Sequence, residues 1–264
     1  MLQYEFMQNA FLAAVFISIL CPLVGVFLVL KRYSMMGDTL AHSSFAGVAI
    51  GLVFGMNPII CAFAFTSICG ILIEALRNYY KKYAELILSI ILTFSIGVGI
   101  TLISTGKAGG NVNTFLFGSI LTVTKNDLLV MMILSVISIV ILSILYHKLI
   151  YITFDEEGAK VSGIKVKLIN YIFALLVSAT ISVSIRIMGI LVMSSMIALP
   201  VATALQLNKG FKDTLLFSVF FGFIDIIIGL VLSYYLNCAP GGTIALVSVF
   251  TLIAIIISKK ILLK

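Results

Sequence analysis

Tryptophan is absent, histidine occurs twice, and only 10 residues are acidic in a chain of 264. Charged residues make up 10% of the sequence, where a soluble domain carries about 25%. A chain so poor in charge cannot cover a water-facing surface, which excludes an ordinary soluble enzyme. No G-x-x-x-x-G-K-S/T stretch occurs; the one Gly-Lys pair, Gly106-Lys107, is followed by Ala108. The chain therefore holds no P-loop, and ATP hydrolysis coupled to it belongs to another polypeptide. Nothing like H-E-x-x-H occurs, so a helical catalytic zinc site is excluded too. The four cysteines, Cys21, Cys61, Cys69 and Cys238, form no C-x-x-C pair. Three of them fall in apolar runs, where buried free thiols are expected.

What the chain has instead is apolar length. It is 62% hydrophobic, with mean hydropathy +1.25, too much for one buried core. The reading is a single all-α domain over residues 1–264, a polytopic membrane helix bundle of eight or nine transmembrane helices. Nine candidate spans fall near 8–30, 36–55, 58–77, 84–104, 125–147, 168–187, 189–207, 212–236 and 242–258. Arg186 and Gly189 alone divide the sixth from the seventh. The segment 105–124 is too polar at its start to span and reads as a loop with a partial helix that re-enters protein. Glu5 and no basic residue precede the first span, and GVFLVLKRYS after it does not resemble a cleavage site. That span is read as a retained helix.

The net charge of +7 sits in short clusters between hydrophobic runs, a membrane pattern rather than a nucleic-acid one. With the N-terminus outside, the inner loops hold 14 of the 17 basic residues, leaving only Lys107, Lys125 and Arg186 outside. The positive-inside rule then predicts a cytoplasmic C-terminus.

Against this background, GDTLAHS at 37–43 puts Asp38 and His42 inside the second span. Four residues apart, they share a helix face. Counted from Lys31-Arg32, His42 lies roughly 15 Å along, near the middle of a core about 30 Å thick. A carboxylate there costs about 2.5–3.5 kcal/mol even on insertion scales, and such residues mark ion or substrate paths. Carboxylate plus imidazole suits zinc, manganese or ferrous iron, and two ligands make a site weak enough to release its cargo. The bland reading is that Asp38 caps the helix and His42 bonds a neighbour. Gly47, Gly51 and Gly55, at four-residue spacing, mark this span as closely packed inside the bundle. Asp225, deep in the eighth span, is either a pathway residue and metal ligand or the distant partner of Arg186. Glu74 and Glu85 are explained by nearby Arg77 and Lys81. His147 and the scattered methionines read as structural.

One polar block remains, FDEEGAKVSGIKVK at 154–167. Acids precede bases, which suits a short helix dipole. Phe154, Ala159, Val161 and Ile164 give it an apolar face that could meet a motor partner; the alternative is a solvated turn.

Five stretches, GDTLAHSSFAGVAIG, FLFGSIL, FDEEGAKVSGI, GILVMSSMIALPVATA and NCAPGGTIAL, occur in this order. Together they resemble the zinc/manganese-type permease family of ATP-binding cassette importers, over most of the chain. The resemblance implies a fold similar to that of the iron-siderophore and cobalamin importer permeases. It implies a homodimer in a bacterial plasma membrane, two cytosolic ATP-binding subunits that carry the ATP, and an extracellular metal-binding solute-binding protein. No cofactor is implied as permanently bound; the cargo is Zn2+ or Mn2+, and SIRIMGILVMSSMIALPVATA is more similar to zinc members. Asp38 and His42 are implied to contact the metal in transit. The segment from Phe154 through Asp155, Glu156, Glu157 and Ala159 to Gly163 resembles the part that transmits ATPase motion. Asn237 stands where the family often has an acid before the Pro-Gly turn. Two other functions fit the bare residues. A proton-driven carrier would use Asp38, His42 and Asp225 as a relay; a non-transporting scaffold would use them as helix-packing glue.

Overall fold

A computed structural model describes residues 5–80, 83–106, 112–119 and 124–262, with backbone alone at 5, 6 and 262. Lys81, Lys82, Lys107 and Lys264 lie outside the described residues. Helices follow one another as α1 Glu5–Leu30, α2 Ser34–Phe54, α3 Pro58–Tyr79, α4 Ala84–Ser104, α5 Val112–Phe117 and α6 Lys125–Phe154. Then come α7 Glu156–Val161, α8 Val166–Met188, α9 Ile190–Leu205, α10 Phe211–Leu236 and α11 Pro240–Leu262. Seven of them (α1, α3, α4, α6, α8, α10, α11) are long and apolar enough to cross a membrane. Two more match predicted spans: α2, equally long but more polar, and α9, only 16 residues.

Local chemistry sets the breaks. Asn57 caps α3 by accepting from the amides of Ile59 and Ile60, with Pro58 in the first helical position, where its missing N–H costs nothing. Thr124 and Asp127 form a reciprocal capping box at the start of α6. Gly189, at φ 77°, is the single residue between α8 and α9. Gly55 ends α2 at φ 68° with nothing within 4 Å of where a Cβ would stand. It is thus a left-handed cap and not, as its spacing suggested, a packing residue.

The core is built around α1 and α8, most of whose apolar windows are buried, while α4, α6 and α11 present mainly outward faces. α2 lies within the bundle, packed against α3, α4, α8 and α9. Gly47 and Gly51 make this possible: a Cβ on Gly47 would stand 2.6 Å from Ala62 Cα, and one on Gly51 2.8 Å from Pro58 Cα. Backbones this close leave room for hydrogen atoms only.

The re-entrant segment is α5, six residues whose Phe115 is buried; 107–111 and 120–123 lie outside the described residues. Just past it, Gly118 at φ 77° meets the backbone of Ile187, and Gly189 meets Leu116 and Phe117. Gly241 of α11 presses on Met188. Three glycines thus join α5, the α8–α9 elbow and α11 at one end of the bundle.

Candidate metal path on α2

The helix that bears the acid and the imidazole begins at Ser34, with Tyr33 in the cap position and no side-chain capping bond. Asp38 is its fifth residue, so the capping alternative fails. At about 1.5 Å per residue, Asp38 and His42 stand roughly 6 and 12 Å from the helix start. Both are half-buried, and the intervening Thr39, Leu40 and Ala41 are buried. Neither side chain has a hydrogen-bond or ion-pair partner among the described residues. An acid and an imidazole thus stand one turn apart without a partner in the described chain. No group of three or more His, Cys, Asp or Glu that could hold a metal occurs among the described residues.

The surroundings fix α2 through contacts with α3 and α4. Ser43 Oγ and Ser95 Oγ, from α2 and α4, are 2.8 Å apart and hydrogen-bonded. Cys69 Sγ of α3 stands 3.9 Å from Ser95 Oγ. Phe45, one turn beyond His42, seats its ring on Gly99, where a Cβ would come within 2.6 Å of it. Hydroxyl bonds, a thiol and small residues thus hold the helix against α3 and α4.

Asp225 is not brought to this face. It is 0% exposed on α10 and accepts hydrogen bonds from the hydroxyls of Ser248 and Thr251 on α11, the latter at 2.8 Å. α10 packs on α1, α9 and α11. The Asp225 carboxylate ties α10 to α11 and does not share the Asp38–His42 face. Arg186 does not pair with it either. The guanidinium donates to Asp127 Oδ2 at 2.9 Å and lies 4.7 Å from the centre of the Phe115 ring. Asp127 escaped notice in the sequence, although T-x-x-D at 124–127 is a legible capping signature.

The polar block resolves into less helix than predicted. Phe154 is the last residue of α6, half of its large side chain and more left exposed, with its ring 6.0 Å from that of Phe211. Asp155 caps α7 by accepting from the amide of Gly158 at 2.8 Å. α7 spans Glu156–Val161 and ends before Gly163 turns at φ 79°. Ala159 is buried, while Val161 is 89% exposed. Lys160 bridges to both Glu156 and Glu157 at 2.9 Å. These two bonds raise the Lys160 ammonium above its ordinary pKa.

Beside α7, Lys31 ends the α1 side of the α1–α2 elbow and donates to Asn170 Oδ1 of α8 at 3.0 Å. Burial drives its pKa down to about 8, against the opposing pull of Glu74. Glu74 itself is 2% exposed, bonds Arg77 at 3.3 Å through Oε2, and leaves Oε1 buried without a partner among the described residues. His147 is exposed beside Tyr146, while Met188, Met193 and Met196 are core residues.

A family model described as the ABC 3 transport family matches residues 3–259. A "Probable metal transport system membrane protein" of Treponema pallidum is 51% identical over 256 residues, 97% of this chain and 96% of that protein. The manganese import system permease protein ScaB of Streptococcus parasanguinis is 30% identical over 98% of this chain and 92% of its own length. Among solved structures, PsaBC from Streptococcus pneumoniae in complex with Fab superposes at TM-score 0.85. It is 27% identical and covers 96% of this chain and 91% of that one.

Proposed function

The chain belongs to the ABC 3 transport family, and from that membership we propose that it carries a divalent first-row transition metal across the membrane as the permease subunit of an importer. One observation carries the reading: Asp38 and His42 share a half-buried face of a helix locked inside the bundle, and neither is spent on the protein itself. The relatives named for manganese, ScaB and the MntC proteins of Listeria, move the choice of cargo from zinc toward manganese. A hard carboxylate with one imidazole and no thiolate suits that ion. In a symmetric pair of chains, the two Asp38–His42 faces meeting across the twofold axis would give four ligands.

In this reading the basic loops face the cytoplasm, the N-terminus lies outside, and the bundle sits in a bacterial plasma membrane. The exposed Phe154 and Val161, flanking the short acidic α7, form the surface for a separate ATP-binding subunit. A solute-binding protein delivers metal at the opposite end. The proton-driven alternative loses its third relay member, because Asp225 is committed to Ser248 and Thr251.

The test is uptake of radioactive manganese and zinc by cells expressing wild type, Asp38→Ala or His42→Ala at equal protein level. The proposal expects each variant to lose at least about tenfold of the accumulation, the loss of one ligand being worth 1.4 kcal/mol or more per tenfold. Undiminished accumulation by both variants would remove these residues from the mechanism.

A further inference from the structure

Between the α1–α2 elbow, the end of α3 and the start of α4 lies a half-enclosed cavity of roughly 170 Å3. Its charged lining comes from three places: Arg32 on the elbow, Arg77 on α3 and Glu85 on α4. Arg77 is held by Glu74 and by stacking 4.0 Å from the centre of the Tyr33 ring. Arg32 and Glu85 are exposed and have no side-chain hydrogen bond or ion pair among the described residues, and Lys81, the partner expected for Glu85, lies outside them. A cation and an anion thus stand apart on one small cavity. Met36, Ile73 and Leu88 are among the uncharged residues that complete its wall.

The cavity also sits at the right level. It opens where spanning helices end, next to the exposed tyrosines Tyr79, Tyr80 and Tyr83, residues that favour the headgroup layer. Below it, α4 presents exposed Leu86 and Ile90, a surface for an acyl chain. We propose that this cavity binds the headgroup of a zwitterionic phospholipid of the phosphatidylethanolamine class, the phosphate on Arg32 and Arg77 and the ammonium on Glu85. A purely anionic lipid would leave its charge against Glu85, and a choline headgroup has no N–H to donate to that carboxylate. Bound there, the lipid braces Arg32 and Tyr33, the residues that lead into α2 five positions before Asp38. It sets the rigidity of the metal-bearing helix from outside the protein.

Native mass spectrometry of the purified full chain in detergent tests this. Phosphatidylethanolamine and phosphatidylglycerol with identical acyl chains are titrated against wild type, Arg32→Asn and Glu85→Gln. Arg32 has φ 59°, and Asn tolerates that region, so this variant keeps the elbow; an unchanged melting temperature in lipid-free detergent checks it. The expected results are tighter binding of phosphatidylethanolamine than of phosphatidylglycerol by wild type, and a loss of about tenfold in Arg32→Asn, the scale of one charge-assisted bond. Glu85→Gln erases the preference between the two lipids. Equal binding of phosphatidylethanolamine by wild type and Arg32→Asn, or no preference in wild type, overturns the proposal.

Discussion

Asp38, His42 and Asp225 are ionisable residues within the bundle with unlike surroundings. Asp225 is bonded by two hydroxyls of α11, whereas Asp38 and His42 are bonded by nothing in the described chain. Replacing Asp225 with Ala leaves Ser248 without its acceptor and Thr251 with the Val247 carbonyl alone. The expected cost is about 1–2 kcal/mol, read as a lower melting temperature in detergent, with metal uptake per folded protein unchanged. Loss of uptake at full stability would return Asp225 to the path. Lys31 gives a second prediction at this scale. Its ordinary pKa of 10.5 falls to about 8 in the folded chain because burial disfavours the ammonium. Between pH 8 and 10.5 the unfolded chain therefore holds more protons than the folded one, so stability rises with pH across that window. Melting temperature measured from pH 8 to 10 should climb more in wild type than in Lys31→Met, which has no proton to lose.

At the scale of helices, packing turns on glycine. Gly47 and Gly51 let α2 touch the backbone of α3, while Gly55 merely ends the helix. Gly51→Leu forces apart two helices whose backbones meet at Pro58 and should cost about 1–3 kcal/mol or more by overpacking. Gly55→Ala places a side chain in open space and costs about 1 kcal/mol of backbone strain, since its φ is 68°. Thermal melts of the two variants rank them; a larger loss from Gly55→Ala would contradict the geometry. The repeat of small residues at 47, 51 and 55 was legible in the sequence, but a repeat cannot say which member meets a neighbour. The same holds for 154–167. Its charge order indicated a short helix, and the helix ends at Val161, two residues before Gly163 turns left-handed.

The whole molecule has two unlike ends. One carries the elbow with Lys31 and Arg32, α7 and the basic loops. The other carries the Gly118–Gly189–Gly241 junction and Cys238, the exposed one of four free cysteines. If the positive-inside orientation holds, a membrane-impermeant maleimide added to intact spheroplasts labels Cys238 in a Cys61→Ser background, and the further change Cys238→Ser abolishes the labelling, since Cys21 and Cys69 are buried. Labelling of Cys238 only after lysis would invert the topology.

Composition and hydropathy determined on their own that this is a helical membrane bundle, and the nine spans they indicate correspond to nine helices of the fold. That much is local: a run of about 20 apolar residues must close its own hydrogen bonds in lipid, whatever lies beside it. The pairing of Asp38 with His42 on one face was equally local, a matter of helical period. Which acids are free was not. Asp225 meets Ser248 across 23 positions and Arg186 meets Asp127 across 59. Contacts that close loops of that length leave no trace in the spacing of either partner, so only the packed structure could separate a carboxylate held in reserve from one already bound.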